Sequence, residues 1–344
     1  MTSVYNPGGS IASPAPTPLA AAVPAAMEIR DLTVGTGNYS LVQSLSLSVA
    51  PGETLCLVGE SGCGKSLTCM SALMLLTAPL SIKSGSIKLF GEELVGRPEY
   101  ELNAMRGRDA AMIFQNPMAS LNPVQRVGRQ IAESILIHSG KSAQEAEAET
   151  LALLEHVGIP DPARNAQAYP HQLSGGMCQR VMIAMALACH PRLLIADEPT
   201  TALDVTIQAQ ILKLLKRLQA ETGMALVFVT HDLGVVAEIA DTVAVMYAGR
   251  VVEQGTADDL FERPAHPYTQ ALMRCRVQGG RASAGRLESI EGVVPSPRNR
   301  PAGCAFAPRC PKARPICGTT PALAPVPGTQ SLAACHFASK ETAQ

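Results

Sequence analysis

The sequence predicts an α/β fold in three parts. These are a core joining a buried parallel sheet to an antiparallel β subdomain, a helical subdomain set into it, and a small cysteine-containing C-terminal domain. Three observations carry this. The apolar run Thr54-Leu55-Cys56-Leu57-Val58 leads into Gly59-Glu60-Ser61-Gly62-Cys63-Gly64-Lys65-Ser66, a full P-loop motif, G-x-x-x-x-G-K-S, with a strand before and a helix after, as it requires. A helical block at about 116–188 interrupts the strands, which resume at Leu193 to Ala196 and Ala225 to Thr230. Beyond Pro264 the composition shifts to Pro, Arg, Ala and Cys. The expected boundaries are a disordered Ala/Pro-rich tail over 1–26, a phosphate-loop domain over 27–262 and a C-terminal domain over 263–344.

Element by element, structure is expected from Met27. Glu28 to Leu32 and Ser44 to Val49 alternate polar and apolar residues, as half-buried strands do. Pro51-Gly52 turns the chain into Thr54–Val58, apolar enough for a parallel strand covered on both faces. A helix follows from about Ser66 to Leu76, stopped by Pro79. Ser84 to Phe90 alternates again and reads as part of an antiparallel sheet. In the helical block, Ser142-x-x-Glu145 is a capping box. Leu151, Leu153, Leu154 and Val157 form an apolar face there, and Val181 to Cys189 fits a buried helix. Val243 to Tyr247 and Arg250 to Glu253 make a hairpin about Ala248-Gly249.

The totals exclude several classes. At 344 residues the chain has room for one large domain and a smaller one. A formal net charge of −1, no Trp and 3% aromatic residues leave no footprint for nucleic acid. The charge is uneven: from Arg263 onward 11 Lys/Arg face 3 Asp/Glu, a surplus of +8, which leaves −9 on residues 1–262. That basic end calls for an acidic partner, an anionic cofactor or a lipid surface. No apolar run approaches the roughly 18 residues of a spanning helix. The first basic residue is Arg30, unlike a secretory signal. Ten cysteines beside a triphosphate loop point to reduced thiols or metal ligands in the cytosol rather than to disulfides.

The chemistry sits in a few short runs. Glycines let the loop backbone aim its N–H groups at phosphates, and the positive end of the following helix adds to the attraction. Gly59, Glu60, Ser61, Gly62, Cys63, Gly64, Lys65 and Ser66 are thus candidate nucleotide-binding residues. Lys65 would bridge the β- and γ-phosphates, and Ser66 would bind magnesium. Asp197 ends an apolar strand beside the loop as a second magnesium partner. Glu198 follows it, placed to polarise an attacking water. A solvated acidic pair would not follow four apolar residues.

Leu173-Ser174-Gly175-Gly176-Met177, standing ahead of Arg192 to Glu198, completes a pattern that resembles the ABC ATPases from Gly59 to His231. The resemblance implies a P-loop ABC ATPase core that works as a head-to-tail pair. Ser174, Gly175, Gly176 and Met177 of one subunit would close over the other's ATP. It implies that Ile113-Phe114-Gln115-Asn116-Pro117 is the Q-loop, with Gln115 on magnesium. Thr201-Ala202-Leu203-Asp204 would be the D-loop, Asp204 facing the opposite subunit, and Val229-Thr230-His231-Asp232 the switch, His231 sensing the γ-phosphate. Adenine would stack on an upstream aromatic. Tyr39 is the only one between Tyr5 and Phe90, although family spacing points nearer Thr36.

Met177 stands where the signature usually has Gln. That variant, the run Phe114 to Pro123 and His266-Pro267-Tyr268-Thr269-Gln270-Ala271-Leu272 resemble the D-type ATPase of oligopeptide and dipeptide importers. The resemblance implies a peripheral subunit on the cytoplasmic face of the inner membrane, hydrolysing ATP with Mg2+ to import di- or oligopeptides. It would pair with a distinct second ATPase, dock on two transmembrane permease subunits and be served by an extracytoplasmic solute-binding protein. Nickel, glutathione and opine importers share the subfamily. A soluble ABC ATPase of DNA repair or ribosomes would favour two fused nucleotide domains or a long coiled-coil insertion, and this sequence has neither.

Cys304, Cys310, Cys317 and Cys335 are spaced Cys-x5-Cys-x6-Cys-x17-Cys. Four cysteines in a proline-rich segment too small for its own core suggest a metal staple, with spacings wider than the Cys-x2-Cys pairs of zinc sites. Gly303 to Pro311 is similar to the C-terminal module of peptide-importer ATPases, some of which hold a 4Fe-4S cluster on these thiolates. Zinc and unligated thiols are the alternatives. Cys56, Cys69 and Cys189 read as core, Cys63 and Cys178 lie inside motifs, and Cys275 is unassigned. No catalytic motif lies beyond His231, so hydrolysis is expected to depend little on this tail.

Overall fold

The computed structural model describes residues 24–277 and 290–338, except Ala202. Most of the tail expected to be disordered lies outside the described residues. Its last member, Ala26, is buried and donates its N–H to Val49 O.

Two sheets organise the chain. The smaller is four-stranded and antiparallel, ordered Tyr39–Val49, Met27–Thr36, Ser81–Leu89, Glu92–Glu93. Its inward positions, among them Ile29, Leu45, Leu47 and Ile87, are buried, which is the alternation the sequence announced. The larger sheet is eight-stranded, ordered Ala324–Pro325, Leu332–Ala333, Arg250–Thr256, Thr242–Tyr247, Thr54–Val58, Ala225–Thr230, Leu193–Asp197, Ala110–Ile113. From Thr242–Tyr247 to Ala110–Ile113 the pairings are parallel. Helices pack on one face of these strands and the antiparallel sheet on the other, so Thr54–Val58, Leu193–Asp197 and Ala225–Thr230 are buried at every position.

The register matters most. Val58 pairs with Thr230, Asp197 with Val229 and Ile113 with Ala196. Four strands therefore end level with one another, and the residues just beyond them are brought side by side. In open α/β sheets, ligands bind at the carboxyl ends of the strands.

Two elements differ from expectation. The helix after the phosphate loop, Lys65–Ala72, stops short of Leu76 because Met74 turns left-handed at φ 55°. The strand Ala110–Ile113 is too short and alanine-rich to announce itself; its burial comes from pairing with Leu193–Asp197. In the helical block, Ala143–His156 carries both halves of the capping box on Ser142 and Glu145. The C-terminal residues form no separate layer. Leu332–Ala333 extends the main sheet, and Phe306 packs on Tyr247 and Tyr268 with ring centroids 5.2 and 5.4 Å away.

Candidate active site

The phosphate loop leaves the Thr54–Val58 strand through Gly59, whose φ is 151°. A Cβ there would lie 2.2 Å from Met246 O, so only glycine fits. The loop wraps Lys65, which is 4% exposed. Its ammonium donates to Gly59 O at 2.8 Å and Glu60 O at 3.3 Å. Beside it Ser66 Oγ donates to Asp197 Oδ1 at 3.0 Å, which sets two hard oxygen donors together. Burial raises the Asp197 carboxyl's affinity for a proton, and the Ser66 hydrogen bond partly offsets this.

Glu198 is the meeting point. Its backbone takes the left-handed φ of 46°, rare for a residue with a side chain, and its N–H donates to Val229 O at 3.1 Å. Four side chains converge on its carboxylate. Gln115 Nε2 donates to Oε2 at 3.1 Å and Thr201 Oγ1 at 2.9 Å. His231 Nδ1 stands 3.4 Å from Oε2, and Lys65 Nζ 3.8 Å from Oε1. The sequence singled out Gln115, His231, Lys65 and Glu198 separately; the structure joins them. Thr201 was read there only as a loop member, and its hold on Glu198 left no trace in the pattern. Ala202 lies outside the described residues.

The signature stands elsewhere. Ser174 caps the Gly175–Leu187 helix by accepting Met177 N–H at 3.3 Å, and Ser174 and Gly175 are exposed. Among the described residues no hydrogen bond or ion pair joins Ser174–Met177 to the phosphate loop. Asp204 likewise caps the Val205–Thr222 helix, accepting Ile207 N–H at 3.0 Å, beside an exposed Val205. Tyr39 is 42% exposed, with the Arg298 guanidinium 5.1 Å over its ring.

The back of the loop is held by residues that the motifs did not reveal. Glu60 N–H donates to the hydroxyl of fully buried Tyr268 at 2.9 Å. The Glu60 carboxylate accepts from Arg309 Nη1 at 3.0 and 3.1 Å, and the same guanidinium reaches Tyr247 Oη and the carbonyls of Ile290 and Glu291. Tyr268 belongs to the quoted His266–Leu272 run and Arg309 adjoins Cys310, but no spacing rule links either to Glu60.

Cys304, Cys310, Cys317 and Cys335 are each half-buried and close enough to influence one another. Burial pushes the Cys304, Cys310 and Cys335 thiols up, while the N–H groups of Phe306 and Ala307, of Lys312 and of Phe337 bond to their sulfurs. Cys304 N–H also donates to Cys317 O at 2.9 Å. Soft donors with N–H···S support suit a thiolate-bound metal or cluster. As they stand, among the described residues no three His, Cys, Asp or Glu side chains are grouped for a metal ion. Cys56, Cys63, Cys69 and Cys178 are buried and Cys189 is half-buried.

Sheet, loop and carboxylate together define an ATPase of the ATP-binding cassette class. Dimeric cassette structures agree: one solved in a post-hydrolysis state with ADP and Pi superposes with a TM-score of 0.61 at 27% identity, covering 67% of this chain and 98% of that one. The sequence matches the ABC transporter family over residues 42–201 and the oligopeptide/dipeptide transporter C-terminal region over residues 252–317. It is 49% identical over 297 residues to the dipeptide transport ATP-binding protein DppD of Haemophilus influenzae, 85% of this chain and 90% of the relative. To DppD of Escherichia coli it is 48% identical over 319 residues, 91% and 97%. The probable peptide ABC transporter ATP-binding protein of Sinorhizobium fredii is 52% identical over 296 residues, 85% and 88%. The chain belongs to the oligopeptide/dipeptide importer family of ABC ATP-binding subunits and is an ATPase. Among the described residues no helix is long and apolar enough to cross a membrane.

Proposed function

We propose that residues 27–262 bind Mg-ATP on the Gly59–Ser66 loop and hydrolyse it to drive import of di- or oligopeptides. The observation that carries this is the convergence of Lys65, Gln115, Thr201 and His231 on the Glu198 carboxylate beside Ser66 and Asp197. Gln115 and Thr201 hold the carboxylate in orientation, and Glu198 accepts the proton of the attacking water as its oxygen bonds to the γ-phosphorus and the bond from that phosphorus to the β–γ bridging oxygen breaks, ADP leaving with that oxygen. His231 on the same oxygen reports the γ-phosphate. Lys65 has carbonyl partners it can exchange for β/γ-phosphate oxygens. Ser66, Asp197 and Gln115 would hold Mg2+, which would neutralise charge on the phosphates. Tyr39 is the adenine platform in this reading.

The exposed Ser174 and Gly175 at the helix start and the exposed Asp204 support a head-to-tail pair, the second member being a distinct paralogue. Peptide as solute rests on the relatives' names. The pair would sit peripherally on the cytoplasmic face of the inner membrane, against two permease subunits, and receive solute from an extracytoplasmic binding protein. Residues 263–344 are the C-terminal domain, its described residues packed onto the core and its main sheet, and Cys304, Cys310, Cys317 and Cys335 hold a 4Fe-4S cluster.

Transport is tested with the assembled transporter in vesicles. ATP hydrolysis should rise when dipeptide-loaded binding protein is added, and a rise with nickel or glutathione alone would replace the solute. The cluster is tested by anaerobic purification. Brown protein with about four irons per chain is expected, bleached by Cys317→Ser. Stoichiometric zinc without iron would make it a zinc site, and no metal at all would leave four free thiols.

A further inference from the structure

Part of the nucleotide pocket's wall comes from beyond the catalytic motifs. A pocket of about 320 Å³ has Gly62, Lys65 and Glu198 on one side and Pro295, Pro297 and Arg300 on another. The proline-bearing segment is fixed at several points. Asn299 N–H donates to Ser296 O at 3.0 Å, and Arg298 lies over Tyr39. Arg300 Nη2 donates to Leu41 O at 3.3 Å and passes Gly249, where a Cβ would lie 3.0 Å from that nitrogen.

Arg300 is poorly satisfied where it stands. Its Nε and Nη1 are shut off from solvent without a hydrogen-bond partner, and the nearby charge is Arg250, another cation. Burial and that cation both work against its charged form. A guanidinium with unpaired buried donors destabilises a protein unless something anionic pairs with it. No carboxylate forms an ion pair with Arg300 among the described residues. The side chain does line the pocket whose floor is the phosphate loop.

We propose that Arg300 is a nucleotide-binding residue whose guanidinium donates to the phosphate chain of the bound nucleotide, the Pro295–Arg300 segment forming that wall of the pocket. The inference rests on the reading of Gly59–Ser66 as the ATP site. A charge-assisted contact of this kind serves ATP and ADP alike, because both carry the inner phosphates.

The test is calorimetric binding of Mg-ATP and Mg-ADP to the full chain, with thermal melts with and without nucleotide. Arg300→Met should weaken both nucleotides by roughly tenfold or more and shrink the nucleotide-dependent rise in Tm. The nucleotide-free Tm should hold or rise, since unpaired donors are removed. Arg300→Lys should recover part of the affinity, and Arg300→Gln gives a second neutral variant should Met fail to fold. Unchanged affinity in the neutral variants, or a lowered nucleotide-free Tm with affinity kept, overturns the proposal. Lys65→Ala separates the two readings. Binding lost in Lys65→Ala but kept in the Arg300 variants removes only Arg300, whereas binding kept in Lys65→Ala removes the loop as the site.

Discussion

Glu198 stands beside the phosphate loop and Glu60 within it, and their surroundings differ in kind. Glu198 meets four side chains from separate stretches of chain, and one of them, His231, is 64% exposed. Each of those contacts can be exchanged for a phosphate oxygen or a water. Glu60 meets a single guanidinium that is 4% exposed and is itself fixed by two carbonyls and a tyrosine hydroxyl. Its own N–H is bound to a buried tyrosine. The loop is thus addressed reversibly from the sheet side and held rigidly from the C-terminal side. Chemistry and preorganisation come from different parts of the chain.

The largest expected effect separates the two carboxylates. Glu198→Gln should cut turnover by roughly 10²- to 10⁴-fold while keeping ATP affinity. Glu60→Gln should instead weaken ATP affinity and leave saturated turnover nearly intact. Phosphate release across a range of ATP concentrations reads both, and equal loss of turnover in the two variants would erase the distinction.

Arg309→Met tests the rigid side. It strands a partly buried carboxylate, so stability should fall by about 2 kcal/mol in urea unfolding, and KM for ATP should rise. Adding Glu60→Gln should restore part of that stability, and a double-mutant cycle without coupling would dissolve the pair as an energetic unit. Because Arg309 reaches the loop directly, the same variant also tests the expectation that hydrolysis depends little on the tail.

A smaller effect belongs to the seam beneath. Burial holds His266 neutral, with its pKa down at about 3 against 6.5 for the free side chain. Between those values the unfolded chain binds a proton that the folded one does not. Stability is therefore lost as pH falls from about 6.5 toward 3, by at most about 1.4 kcal/mol per unit. His266→Asn keeps an acceptor for Tyr268 N–H and should flatten that slope between pH 7 and 5. An unchanged slope would move the acid sensitivity to other groups. The smallest expected change is remote: Ser142→Ala should cost about 1 kcal/mol through its lost cap and leave KM for ATP alone. A shifted KM would tie the helical block into the loop's support.

The reversible side of the loop was legible because its residues sit in short local runs. Gly59 to Ser66, Asp197-Glu198 and His231 stand at the ends of strands marked by their apolar runs, Gln115 was marked by its Q-loop resemblance, and the parallel register does the rest. The rigid side was not. Arg309 to Glu60, Tyr268 to Glu60 and Arg300 to Leu41 pair residues more than 200 positions apart, and no period or cap connects them. Ala110–Ile113 escaped for a related reason, since a four-residue run that opens on two alanines becomes a strand only through its neighbour. The cysteine spacing marked where a metal could bind but gave no sign that Phe306, two residues after Cys304, seats on Tyr247 and Tyr268.

The sheet's last borrowed strand bears on how the protein is born. Arg250–Thr256 pairs on its outer side with Leu332–Ala333, and Ala334 N–H donates to Val252 O at 2.8 Å. During synthesis at roughly 5–20 residues per second, the growing chain would show that row of unpaired amides to its surroundings for several seconds. An uncovered edge of this kind recruits foreign strands. The closing residues therefore act as a late seal, and a ribosome stalled between the two strands would release a protein with every catalytic motif present and one side open to aggregation.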